Sequence, residues 1–180
     1  MEALPGSFMS GRVVARACLQ PIFEEIPVEV CIYQVEGVKF SVQARTHTII
    51  CDQPQENGGK DAGMTPPELL LASLGACAAF YAAEYLRTRN LASSGVSVSV
   101  TAEKLKVPAR LGNFHIRVDS PILLTPEQRE GLMRSVEHCL VKNTLLSPPQ
   151  IEVSLEVASA ESILNARAVS PHAPTAGTCS

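Results

Sequence analysis

The chain has no tryptophan, and aromatic residues make up 4% of its 180 positions. With so few large rings, its core has to be built from Val, Leu, Ile and Ala. Charge is sparse as well. Charged residues are 18% of the chain, and 15 Lys+Arg against 18 Asp+Glu give a net charge of -3. No basic stripe stands out, which argues against nucleic acid as a partner. A long hydrophobic run is missing too. The longest uncharged apolar-rich run, Leu69 to Ala83, is bracketed by Glu68 and Glu84. It falls short of the ~20 residues that a membrane span needs. It reads as a buried core helix, and no membrane partner is expected. The N-terminus, with Glu2, lacks the charged-then-apolar pattern of a secretory signal. Residues 3–22 hold Arg12 and Arg16 without acids, a composition that also allows an organelle transit peptide.

Cysteine is present without the spacings that usually explain it. The six are Cys18, Cys31, Cys51, Cys77, Cys139 and Cys179. None forms a C-x-x-C pair, and a zinc-finger or zinc-ribbon pattern is missing. His47, His115 and His138 are scattered, with no H-E-x-x-H spacing. Neither a metal nor a cofactor is expected. Hydrophobic residues make up 46% of the chain, enough for one domain whose core needs no disulfide staples. That points to a reducing compartment, the cytoplasm.

Alternation dominates the first half. Val28, Val30 and Ile32 face one way, Glu29, Cys31 and Tyr33 the other. After a turn at Glu36-Gly37, Val38, Phe40, Val42 and Ala44 alternate with Lys39, Ser41, Gln43 and Arg45. This period of two marks half-buried antiparallel strands. A third strand is expected over His47 to Cys51, followed by a loop over 52–64 rich in Pro, Asn and Gly. A helix then starts at Thr65 as N-cap, with Pro66 at its first position and Glu68 closing a capping box. It runs to about Asn90. Its many small residues (Ala72, Ser73, Gly75, Ala76, Ala78, Ala79, Ala82, Ala83) allow another helix close approach. A helix apolar all round must be covered on every side, which one small domain does poorly, so a homodimer is inferred. Two strands follow, Ser97 to Ala102 and Phe114 to Val118. Thr125-Pro126-Glu127-Gln128 opens a second helix, on which Leu132, Val136, Cys139 and Leu140 share a face. A last strand is expected over Ile151 to Val157. The order predicts an α+β fold with antiparallel sheet. It divides into a flexible leader over 1–10, a single domain over 11–158 and a mobile tail over 159–180.

Cys77 and Cys139 therefore both fall on core helices. The plain reading is two small buried residues, because free Cys is among the most buried residue types. The chemical reading is a redox pair. A thiolate that attacks an O–O bond becomes a sulfenic acid. A second thiol can condense with it to a disulfide, and an external dithiol restores both. The attacking thiol must be ionised, so its pKa must lie below the free value of about 8.5. A disulfide needs Cα atoms within about 7 Å, which two packed helices can provide. Spacing leaves both readings open. Lys142, three residues after Cys139, could lower its pKa, and Tyr81, four after Cys77, could line a pocket; exposure and packing explain them as well.

The stretch Gly58-Gly59-Lys60-Asp61-Ala62-Gly63-Met64-Thr65-Pro66-Pro67-Glu68-Leu69-Leu70-Leu71-Ala72-Ser73-Leu74-Gly75-Ala76-Cys77, followed later by His138-Cys139-Leu140-Val141-Lys142-Asn143-Thr144-Leu145, resembles the OsmC/Ohr family of thiol-dependent hydroperoxide reductases. The resemblance spans roughly Val28 to Val157. It implies an intertwined homodimer in which curved antiparallel sheets wrap two central helices. It also implies a peroxidatic Cys77, a resolving Cys139, organic hydroperoxides as substrates and an external dithiol as reductant. Leu70, Leu74, Phe80 and Leu140 would supply the apolar wall. The family's Glu after the helix-start proline falls on Pro67 here, and Glu68 is one place later. The family's early-strand Arg has no match in Val35-Glu36-Gly37, which leaves Arg45 as the nearest candidate. Cys139 is followed by Leu140 where the family has Pro. The candidate catalytic set is thus Cys77, Cys139, Glu68 and Arg45. Two other readings stand beside it: a binding or scaffold dimer that has lost fast thiol chemistry, and a hydrolase or transferase with a cysteine nucleophile and a His base brought in by the fold.

Overall fold

The computed structural model describes residues 28–157. The expected leader and tail, with Cys18 and Cys179, lie outside them. The chain begins with three antiparallel strands joined by tight turns, β1 (Cys31–Glu36), β2 (Lys39–Ala44) and β3 (His47–Cys51), in the spatial order β1-β2-β3. Gly37 makes the first turn at φ 51°, a left-handed conformation that glycine adopts without steric cost. The second turn puts Arg45 itself at φ 55°. Arg45 is therefore an exposed turn residue, not a member of the β2 face on which alternation had placed it.

A loop carries the chain from β3 to the first helix, and one buried carboxylate organises it. Asp52 is 1% exposed. Its Oδ1 accepts the N–H of Gln53 at 2.8 Å, and its Oδ2 accepts those of Lys60 at 3.0 Å and Ala62 at 3.1 Å. The glycines serve close approach as well as turning. A Cβ on Gly59 would sit 1.8 Å from the Gln53 carbonyl oxygen, and one on Gly63 2.2 Å from that of Ile50. Gly58 supplies the left-handed φ of 83°.

The helix α1 (Pro66–Thr88) starts as its sequence predicts. The backbone N–H of Thr65 donates to Glu68 Oε2 at 2.7 Å, and its hydroxyl donates to the same oxygen at 2.8 Å. After α1 comes a long hairpin, β4 (Ser97–Lys106) and β5 (Ala109–Asp119). It extends the two expected strands toward each other until only Val107-Pro108 separates them. The charges at Glu103, Lys104 and Lys106, with Gly112 and Asn113, read as loop in sequence. Cross-strand pairing through a bulge keeps them in the ladder.

α1 lies on this hairpin and against α2 (Pro126–Val136). Ala78, Ala82, Tyr85, Leu86, Leu132 and Val136 form the buried centre, with Val98, Ile116 and Val118 of the hairpin against it. Only part of α1 is covered. By length and composition it could cross a membrane, and 33% of its most apolar window is buried. Ala72, Ser73, Ala76, Phe80 and Ala83 stand exposed along one side. The expectation of an all-round buried helix is not met within one chain.

Two further expectations are corrected. The second helix does not run through Cys139. It ends at Val136, and a separate short helix, α3 (Leu140–Leu146), restarts after a break. Ile151–Val157 is not a strand. Its alternating side chains are exposed, Val153 at 91%. A lone extended segment leaves its N–H and C=O groups unpaired unless a sheet edge meets it, and among the described residues none does.

Candidate active site

Cys77 sits midway along α1, half-buried, in a run of alanines that leaves room beside it. The break between α2 and α3 brings Cys139 to it. At the end of α2 the N–H groups of His138 and Cys139 turn back three residues, to Ser135 O and Val136 O, both at 3.1 Å. Cys139 then leaves helical geometry at φ -56°, ψ 113° and becomes the N-cap of α3. Its sulfur takes the role that a hydroxyl or carboxylate usually fills, accepting the N–H of Lys142 at 3.4 Å. Cys139 is wholly buried.

The two thiols are neighbours that influence each other's ionisation, and both are free. Their environments drive them apart. Burial pushes the Cys77 thiol up, but hydrogen bonds to its sulfur from Cys139 and from the backbone N–H groups of Val141 and Leu140 outweigh it, and the net shift is downward. For Cys139 burial again comes first and raises it, its hydrogen bond with Cys77 raises it further, and the N–H groups of Lys142 and Val141 oppose only in part. One thiol is thus disposed to ionise beside a partner that keeps its proton.

Sequence reasoning sought a cation for this purpose. The structure provides uncharged donors instead, the N–H groups left without helical partners where α3 begins. No sequence signal marks them, since the helical spacing of Leu132, Val136, Cys139 and Leu140 runs across the break. Lys142 contributes its backbone; its ammonium group is paired with Glu137.

The other two candidates lie elsewhere. Glu68 is committed to the N-terminus of α1, which holds its carboxyl below the usual range, first through the Thr65 N–H and then through the Thr65 hydroxyl. It precedes Cys77 by nine residues, about 14 Å along the helix axis. Among the described residues no hydrogen bond or ion pair links Arg45 to either thiol. The expected apolar wall is also redrawn. A cavity of about 690 Å³ lies between α1, β5, α2 and α3, lined by Leu70, Leu74 and Phe114 together with Arg110, Glu137 and Lys142, and neither thiol lines it. Phe80 and Leu140 are exposed and take no part in it. Among the described residues no cluster suited to a metal ion occurs. Cys51 is a third free, buried thiol. Cys31 is disulfide-bonded, with a partner outside the described residues, contrary to the expectation that no disulfide is needed.

Comparison with known proteins agrees with this geometry. No curated protein matches the chain. Solved structures do. A Psychrobacter arcticus protein named for an osmotic stress induced and detoxification response is 21% identical, with a TM-score of 0.60 over 68% of this chain and 90% of its own. An OsmC like protein from Mycoplasma pneumoniae is 18% identical, with a TM-score of 0.55 over 74% and 97%. An organic hydroperoxide resistance protein OsmC from Legionella pneumophila is 17% identical, with a TM-score of 0.52 over 67% and 90%. These likenesses show a shared fold. The family model for OsmC-like protein matches residues 58–154, more than half of the chain, from the Gly58 loop past both thiols, and the chain belongs to that family.

Proposed function

We propose that the chain is a thiol peroxidase that reduces organic hydroperoxides. The observation that carries this is the pair of neighbouring free thiols, Cys77 on α1 and Cys139 capping α3, with opposite shifts, Cys77 down and Cys139 up. The Cys77 thiolate attacks the terminal peroxide oxygen. The O–O bond breaks, Cys77 becomes a sulfenic acid, and the alkoxide takes a proton and leaves as alcohol. The Cys139 thiol then attacks the sulfenic sulfur, expels water and forms a disulfide. An external dithiol reduces that disulfide and is itself oxidised. Likeness to a protein named for organic hydroperoxide resistance supports a preference for organic over hydrogen peroxide. A cytoplasmic setting is part of this reading, with the three free thiols for it and the disulfide at Cys31 against it. The exposed apolar side of α1 supports a homodimer.

One equivalent of cumene hydroperoxide, applied for seconds and followed by peptide mapping, tests the reading. A rapid Cys77–Cys139 disulfide that is lost in Cys77→Ser is expected. Oxidation at Cys77 no faster than at Cys179 would sink it. That outcome would favour the rival, a binding or scaffold dimer, which the positions of Glu68 and Arg45 away from the thiols support.

A further inference from the structure

The break that delivers Cys139 is held against α1 at two points, and both fall on one residue. The Ser135 hydroxyl, in the last turn of α2, donates to the backbone carbonyl of Tyr81 at 3.1 Å. His138, the residue before Cys139, sets its ring against that of Tyr81, with centroids 6.4 Å apart and planes tilted by 42°. Tyr81 lies one turn beyond Cys77 on the same helix. Phe80 buttresses it edge-on at 5.3 Å. The two contacts flank Cys139 on the α2 side. On the α3 side the side-chain amide of Asn143 donates to the Glu137 carbonyl at 3.3 Å and closes the turn.

We infer that Tyr81 and His138 are positioning residues for the resolving step: their ring contact fixes the 137–139 turn on α1 so that Cys139 can reach the sulfur of Cys77. This rests on the reading of the two thiols as a redox pair. The geometry makes the demand plain. A disulfide bond is about 2.05 Å long and tolerates only a narrow torsion, so two neighbouring sulfurs must close further. A turn free to swing would lose that approach and weaken the donors that lower the Cys77 pKa, while the place of Cys77 itself, on the body of α1, would hold. With Cys77 fully ionised, the first thiol step should therefore be indifferent to the contact and the second dependent on it. An imidazole acting as acid or base would behave differently, because a ring without nitrogen could not replace it.

The test uses diamide, which oxidises two thiols to a disulfide and is reduced to its hydrazine without any peroxide. The full chain is used, and disulfide formation between Cys77 and Cys139 is followed by mass spectrometry. In parallel, the rate of Cys77 alkylation by iodoacetamide is measured at a pH well above the free thiol value of about 8.5, where Cys77 is fully ionised and any change in its donors drops out. In His138→Ala the disulfide is expected to form about tenfold more slowly or worse, in line with the cost of misplacing reacting groups, with Cys77 alkylation unchanged. His138→Phe, which restores a ring without a titratable group, should bring the rate back. Ser135→Ala should slow the same step by itself. Disulfide formation in His138→Ala at the wild-type rate would overturn the inference. A slow rate that His138→Phe fails to rescue would overturn it too, as would a parallel fall in alkylation, which would report a general loosening of the site. Since diamide bypasses peroxide, a chain that proved unable to reduce hydroperoxides would still report on the contact.

Discussion

A single thiol gains its character here from what touches it. Cys77 was legible as a candidate because the small-residue stretch leading to it is long and ordered in a family-like way. The source of its lowered pKa was not legible, because backbone N–H groups carry no signature in sequence and become available only where a helix starts. One consequence can be measured. The folded pKa of Cys77 is depressed, so its thiolate is present at lower pH than in a free cysteine, and its alkylation profile should be displaced to lower pH than that of the unfolded chain. Cys139→Ala removes one donor and should move that profile to higher pH, with the N–H groups of Leu140 and Val141 keeping part of the effect. An unmoved profile would mean that Cys139 contributes nothing. Asp52 is a second residue that sequence reasoning passed over. It follows a strand and opens a loop with Pro54, Gly58 and Gly59, a setting in which Asp side chains bond nearby backbone. In Asp52→Ala the amides of Gln53, Lys60 and Ala62 lose their acceptor, and their hydrogen exchange should quicken while that of α1 stays slow.

Between elements, the closest approaches fall on glycines, and two of them should answer an added methyl in opposite ways. A Cβ on Gly131 of α2 would meet the Tyr85 hydroxyl at 2.3 Å and its ring at 2.8 Å. Tyr85 is buried in the α1–α2 contact, so the ring cannot simply move aside. Gly131→Ala should destabilise the chain by about 1–3 kcal/mol, read as a lower urea midpoint. Gly75 of α1 faces β4, where the nearest atom would be a Val100 methyl at 3.0 Å. A side chain can yield there, and alanine gains up to ~1 kcal/mol of helix propensity over glycine. Gly75→Ala should leave the midpoint near wild type. Helix starts and strand alternation were legible because capping boxes and a period of two are local. The break after Val136 was not, since Leu132, Val136, Cys139 and Leu140 continue a helical spacing straight across it. The far half of the β4–β5 hairpin was hidden for the opposite reason, as its charged residues are held by pairing with one another and not by burial.

An ionic bridge ties the first hairpin to the glycine loop that leads into α1. Glu36, at the end of β1, is bridged by Lys39 at 2.6 Å and, across to the glycine loop, by Lys60 at 2.8 Å. The hydrogen bond from Lys39, then that from Lys60, pulls the Glu36 carboxyl from 4.5 to about 2. A depressed carboxylate stabilises the fold fully above its unfolded value, and that contribution is lost as pH falls from about 4.5 toward 2. Wild type should therefore lose stability faster than Glu36→Gln in this window, and because the pair is exposed, added salt should narrow the gap. The same openness bears on assembly. Ile151 to Val157, expected as a strand from its alternation, finds no sheet edge among the described residues, and a second copy is the occupant we propose for the exposed side of α1. Sedimentation of wild type should give a dimer mass, and Phe80→Glu should give a monomer. The complete burial of Cys139 has a consequence for traffic. In the proposed cycle, peroxide arrives at Cys77, and an incoming reductant also finds only the Cys77 sulfur within reach. Oxidant and reductant then queue at one opening, the mixed disulfide forms on Cys77, and Cys139, with its raised pKa, is the reluctant leaving group that sets the pace of recovery.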